Sequence, residues 1–487
     1  MNVSAGNEVQ SIDLWIGGER MAPSTGRYFT DNNPENDAPY ARVAEGGPED
    51  IDRAVRAAHE AFGSYGKSMA LEREAWLSKA AALVEKYRDD FLDILVKEVG
   101  SPIGKAHFEV AYAAGCLRSA AGVARRIAGQ TIPSDMPGRF AMTIRQPLGV
   151  VASITPFNVP LLKASKLSAS PLATGNTVVM LPSEEASMVT SRLVEIYQEA
   201  GVPAGAVNMV TGLGADIGDV LTTHPLVRAV MFTGSSRVGR HISTLCGSMM
   251  RRVLLELGGK SPLVVLADAD LDAAVEGACF GQFFFQGQAC MASSRVYVEK
   301  SIAEEFTRRF VARAKTLGMG DLTNPDTWLG PIISNRQRER VRKHIEDARA
   351  KGANVLTGGE WVGNCCQPTI LSGVDESMVV CREETFGPVT SVYPVADLDE
   401  AIQRSNDTNY GLSAAIYTQD LNKAFRYMQE VKAGMVHVNA PTIADEPHVP
   451  FGGVGDSGFG REGTDIDVDT LTEWKWVTFP NGEAARK

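Results

Sequence analysis

GVVASIT at residues 149–155, NTVVML at 176–181, AVNMV at 206–210 and AVMFTG at 229–234 are four short apolar runs separated by helix-patterned segments. Runs of this length, apolar without alternation, suit strands buried on both faces. Strands joined by helical crossovers predict a parallel sheet covered by helices. A second series begins near residue 261, with SPLVVLAD, RVYVEK, a helix aligning Ile302, Phe306 and Phe310, then GLSAAIYT and GMVHVNA. The fold class is therefore α/β, with two parallel-sheet domains. A site drawing on both would lie in the cleft between them.

Outward from this core, LWIGGERMAPSTGRYFTDNNP reads as a small β-meander punctuated by Gly, Pro and Asn. Ile51, Ala54, Val55, Ala58 and Phe62 share one face of an amphipathic helix, and further helices run from about residue 70 to 127. Residues 130–147 read as a protruding hairpin and EWKWVTF, 473–479, as a strand. Each would expose an apolar β edge in a lone chain, so both are expected to pair in a homodimer or homotetramer; the plainer reading is that both simply cover the domain surface. The domains are drawn as 1–129 with 148–256, then 257–457, with 130–147 and 458–487 as a small β oligomerisation element.

Composition narrows the function. Lys and Arg total 48 against 59 Asp and Glu, for a net charge of −11. That balance lacks the basic footprint of a nucleic-acid binder. No apolar run reaches the length of a membrane span. The N-terminus has no basic stretch followed by an apolar one, so no secretory signal is read there. Seven cysteines in 487 residues are too sparse for a disulfide scaffold and point to reduced thiols in a cytoplasm. Neither CxxC nor HExxH occurs, so no metal site is expected.

Four segments carry candidate chemistry. Cys290 lies in FFFQGQACMASSR among small and polar neighbours. A buried structural thiol is the plainer reading; a reactive thiol needs access and a lowered pKa. Glu256 in LLELGGKSP follows an apolar run, where burial raises a carboxyl toward the range of a general base. Its plainer reading is a capped or paired side chain. Asn158 in ITPFNVP stands at the end of a strand, where an amide can donate to an oxyanion or simply turn the chain. FTGSSRVG, 232–239, brings a strand through Gly234 to a helix start at Ser235 or Ser236, which suits a phosphate. GLGADIG at 212–218 imitates a dinucleotide fingerprint but is one residue too long, and reads as a helix entry.

Together, TPFNVP, GNTVVMLPSE, FTGSSRVG, LELGGKSP, GQACM, EETFGP and PFGGVGDSGFGRE resemble the aldehyde dehydrogenase superfamily, from about residue 12 to about 478. The resemblance implies a Rossmann-like NAD-binding domain in the first half and a catalytic domain in the second. It implies Cys290 as nucleophile, Asn158 as oxyanion donor and Glu256 as the base that hydrolyses a thioester. Thr155, Pro156, Glu184, Phe232, Gly234, Ser235, Gly239, Leu257, Glu384 and Phe386 match the NAD site. Val159, Lys163, Met291, Ile443 and Phe451 match the aldehyde channel. Leu181 stands where the family usually has a lysine that bonds the adenosine ribose. MVHVNAPTIADEPHVPFGG and LTEWKWVT resemble the benzaldehyde, salicylaldehyde and vanillin dehydrogenase branch, which implies an aromatic aldehyde. Lys163 is unusual in such a channel: it either snorkels to the cleft rim or pairs with an anionic substrate. Non-redox acyl transfer on Cys290 and a catalytically idle relative are the alternatives.

Overall fold

The computed structural model describes residues 9–481. The first eight residues of the expected cofactor domain and residues 482–487 of the expected tail lie outside the described residues.

Two sheets organise the chain. The first has eight strands; its centre runs Arg252–Glu256, Val227–Thr233, Val150–Ile154, Thr177–Leu181, Val207–Met209, all parallel. The second has seven, and all its pairings are parallel except that of the edge strand Asn354–Thr357. The absence of alternation in the sequence has its reason in the packing. Along Thr177–Leu181, Val178 and Met180 enter one apolar cluster while Val179 and Leu181 enter another. In the second sheet Val264 and Leu263 divide in the same way. The central strands are thus buried on both faces.

The N-terminal region departs from a simple meander. Leu14–Ile16 and Glu19–Met21 form a hairpin that joins the first sheet beside Val207–Met209. Gln10–Ile12, Tyr28–Asn32 and Pro39–Ala44 form a separate sheet, with Gln10–Ile12 parallel to Pro39–Ala44. The exposed edge of the first sheet gains a partner in this way.

The segment after residue 457 also departs from its reading as wholly part of the oligomerisation element. Gly458–Phe459 pairs antiparallel with Leu255–Glu256 and closes the other edge of the first sheet. Only then does the strand Thr472–Pro480 pair along its whole length with Arg139–Pro147, which also pairs with Thr131–Ile132. Hairpin and tail therefore cover one another within one chain. Among the described residues no helix is long and apolar enough to cross a membrane.

Candidate active site

Cys290 follows a turn that few residues adopt. After the helix Leu271–Phe283, the chain passes through Phe285 at φ 48°, Gln286 at φ 54° and Gly287 at φ 67°. Non-glycine residues in the left-handed region cost about 1–3 kcal/mol each, so their surroundings must hold them. Gln286 Nε2 donates to Pro331 O at 2.9 Å, and the Lys105 ammonium lies 4.0 Å from the centre of the Phe285 ring.

Asn158 sits between the strand Val150–Ile154 and the helix Pro160–Ala173. Its Nδ2 donates to Gln288 O at 3.0 Å, two residues before the cysteine. The amide and the thiol loop are thus brought together. The helix is anchored at its start by Glu109, whose Oε1 accepts from Leu161 N at 2.8 Å and Leu162 N at 3.2 Å. Glu109 also forms a buried ion pair with Lys105. The helix Ile103–Ala124 therefore steadies both loops through two residues that the sequence reading did not single out. Their signal was a Lys–Glu pair at i,i+4, which reads as an ordinary surface pair until burial is known.

Glu256 ends the strand Arg252–Glu256 at 2% exposure, and neither carboxylate oxygen has a hydrogen-bond partner. Burial pushes its carboxyl up to about 8, against the pull of Lys163 and Lys166. The following glycines join three parts of the site. Gly259 N donates to Glu384 Oε1 at 2.9 Å, and a Cβ on Gly259 would collide with the Cys290 carbonyl oxygen.

Cys290 keeps partial exposure as a residue, while its thiol is enclosed. Burial pushes the thiol up to about 12; Lys163 opposes that, and Glu384, Glu256 and Asp445 add to it. The pocket therefore does not provide the lowered pKa that a reactive thiol needs, and the proton must be handed on when the sulfur attacks.

Lys163 corrects the sequence reading. It does not snorkel: at 3% exposure it forms a buried ion pair with Glu462 and lies 4.5 Å from the centre of the Phe451 ring. Its charge is already matched by the protein. Lys166, 4.9 Å from the same ring, pairs with Asp445 at 3.2 Å. The other channel residues gather nearby. Val159 packs with Tyr112, Cys116 and Leu162. Met291 O accepts from Thr442 Oγ1 at 2.6 Å, which places Ile443 beside the thiol loop.

The candidate cofactor residues line the carboxyl ends of the first sheet. Ser235 caps the helix Ser236–Ser248, and Gly234 N donates to Glu256 O at 3.0 Å. Gly239 has no side chain where Leu257 packs, and Phe232 is buried. Thr155 N donates to Leu181 O at 3.1 Å; Pro156 is half-buried. Phe386, at φ 56°, meets Phe157 edge-on at 5.7 Å. Glu184 Oε1 accepts from Gly214 N at 2.9 Å, so a carboxylate already sits at the start of the helix that GLGADIG opens. Leu181 is 2% exposed in an apolar cluster.

Residues 21–477 match the family model described as the aldehyde dehydrogenase family. The chain belongs to the aldehyde dehydrogenase family. This aldehyde dehydrogenase is 41% identical to a vanillin dehydrogenase of Pseudomonas fluorescens, over 97% of this chain and 98% of that one. A salicylaldehyde dehydrogenase of Pseudomonas putida is 40% identical, over 88% and 90% of the two chains. Among solved structures, a salicylaldehyde dehydrogenase from Pseudomonas putida G7 complexed with salicylaldehyde superposes with a TM-score of 0.95 at 37% identity, covering 98% of this chain and 99% of that one. A betaine aldehyde dehydrogenase from Staphylococcus aureus in complex with NAD+ superposes at 0.94 with 32% identity, covering 96% of this chain and 95% of that one.

Proposed function

We propose that this aldehyde dehydrogenase oxidises an aromatic aldehyde to its carboxylic acid with NAD, through a thioester on Cys290. The observation that carries the reading is the hydrogen bond from Asn158 Nδ2 to Gln288 O, with the Glu256 carboxyl buried, unpartnered and within electrostatic reach of the same thiol. The vanillin and salicylaldehyde dehydrogenases among its relatives support the aromatic class.

The residues present fit a dinucleotide. A helix start capped by Ser235 offers free backbone N–H groups to a pyrophosphate. The Thr155 and Thr233 hydroxyls are buried without partners nearby along the same strand ends. Glu384 is held by Gly259 where it can meet a ribose. Glu184 would accept from the second ribose and repel a 2′-phosphate. Bound NAD supplies an acceptor for hydride.

The protein's own groups do the rest. Cys290 Sγ bonds to the aldehyde carbon as Glu256 takes the thiol proton. Asn158 and the Cys290 backbone N–H hold the alkoxide; losing one such donor typically costs ~10²–10³ in rate. Departure of hydride leaves the thioester. Glu256 releases the thiol proton to solvent and then takes a proton from water, which attacks the acyl carbon; the C–S bond breaks, Glu256 returns that proton to the sulfur, and the carboxylic acid leaves.

Assembly as a homodimer or homotetramer is supported by the one-sided pairing of the strand Thr472–Pro480 and by its exposed Trp474 and Trp476. A reducing cytoplasmic setting is supported by the seven free cysteines. The division into an NAD-binding unit, a catalytic unit and a β oligomerisation element is supported by the separate eight-stranded, seven-stranded and hairpin–tail sheets.

NADH formation with a panel of aromatic and aliphatic aldehydes tests the reading. Aromatic substrates should give the highest kcat/KM, and Cys290→Ala should abolish turnover while retaining the fold. Turnover by folded Cys290→Ala, or acid release without NADH, would contradict it.

A further inference from the structure

Lys260 directly follows the two glycines against which Glu384 rests. A Cβ on Gly258 would collide with the Glu384 carboxylate, and Gly259 N donates to its Oε1 at 2.9 Å. Lys260 stands just before the strand Pro262–Val265 at 1% exposure, and its Nζ has no hydrogen-bond partner. A buried ammonium in that position is costly to keep charged unless an opposite charge lies close by.

The groups that face Lys260 show which charge that is. Arg295 and Arg340 are cations, Cys381 offers a thiol, and Glu384 offers a carboxylate. His344 also faces it, but burial pushes that imidazole down to about 4, so it is neutral. Arg295 is engaged elsewhere: it donates to Lys260 O at 2.8 Å, Arg404 O at 3.0 Å and Ser405 O at 3.0 Å. Arg340 donates to the backbone carbonyl of Glu384. The Glu384 carboxyl is enclosed although the residue keeps partial exposure; burial raises its pKa, while Gly259 N, Arg340 and Lys260 oppose that rise.

We infer that Lys260 is a positioning residue for the cofactor: its ammonium holds the Glu384 carboxylate ionised over Gly258 and Gly259, ready to accept from the ribose on the nicotinamide side. This rests on the reading of Glu384 as a ribose acceptor. An ionised acceptor makes a hydrogen bond roughly twice as strong as a neutral one. Lys260 acts through Glu384, not on the reacting atoms. Burial pushes its ammonium down to about 7; Arg295 and Arg340 add to that, and Cys381 and Glu384 oppose it. Its help is therefore present below about pH 7 and fades above, where Glu384 ionises without it.

The test is calorimetric: Kd for NAD and for ADP, which lacks the nicotinamide ribose, at about pH 6 and about pH 9, on either side of the Lys260 transition. Lys260→Met should weaken NAD binding about 5-fold at the lower pH, the difference between a charged and a neutral acceptor. At the higher pH the loss should shrink toward none, and ADP should bind as before at both. Lys260→Gln carries the same expectation should the methionine variant fail to fold. Glu384→Gln should weaken NAD but not ADP, and adding Lys260→Met to it should do nothing further. An unchanged Kd for NAD in Lys260→Met at the lower pH would overturn the inference, as would equal weakening of NAD and ADP, a loss independent of pH, or additive losses in the double variant. Each of these leaves the ribose role of Glu384 in place. An unchanged Kd for NAD in Glu384→Gln would overturn that role and the inference together.

Discussion

Glu256 is buried, unpartnered and pushed up to about 8, and that has a measurable consequence for a base. Only the deprotonated carboxyl can take a proton from the thiol or from water. Activity limited by Glu256 should therefore rise with pH up to about 8 and level off above. Lys163 pulls both Glu256 and Cys290 downward. In Lys163→Met the rising limb should move to higher pH, and thermal unfolding should show a loss of about 3–5 kcal/mol from leaving Glu462 buried and unpaired. An unmoved pH limb would dissociate Lys163 from the chemistry. Sequence singled out Lys163 but could not show its partner, because Glu462 lies 299 residues away. Leu181 offers a second test at this scale. Leu181 packs in an apolar cluster, so Leu181→Lys should lower the melting temperature of the free protein and tighten NAD binding where the ammonium meets the ribose. An unchanged Kd would mean that other groups already hold that ribose.

The thiol turn and the helix behind it show which local features were legible. Cys290, Glu256 and Asn158 stood out because the chemistry requires those residue types beside glycines and strand ends. The helix Ile103–Ala124 did not, since Lys105 and Glu109 act only by reaching two distant loops. The strain at Phe285 and Gln286 was equally invisible, because neither residue type signals a positive φ. Gly287 completes that turn at φ 67°, and a Cβ there would collide with Gly387 O. Gly287→Ala should therefore cost more than the ~1 kcal/mol of an ordinary glycine replacement, and kcat should fall as Cys290 shifts relative to Asn158. Calorimetry and steady-state kinetics on the same preparation check both. A variant with wild-type melting and kcat would refute the account of the turn.

The two parallel sheets were readable because their strands are buried on both faces and lack alternation. The edges were not. Whether Gly458–Phe459 closes the first sheet or begins a free tail depends on which edge lies nearby, and no local pattern encodes that. The same holds for Thr472–Pro480, which covers the Arg139–Pro147 hairpin of its own chain. Its outer edge remains free among the described residues, with Trp476 65% exposed. An exposed apolar strand edge is a site for pairing with another chain. Light scattering should therefore give an integer multiple, two or four, of the chain mass. Trp476→Glu should lower it, and a monomeric wild type would remove the oligomer from the account.

The central claim is that Glu256 resolves an acyl group carried on Cys290. Rapid mixing of Glu256→Gln with NAD and an aromatic aldehyde, followed by mass spectrometry of the peptide containing Cys290, tests it most directly. Because Glu256 also takes the thiol proton, the account predicts NADH formed slowly and only up to about one equivalent per site, no sustained turnover, and a Cys290 peptide heavier by the acyl group. Undiminished steady turnover with an unmodified Cys290 would contradict it.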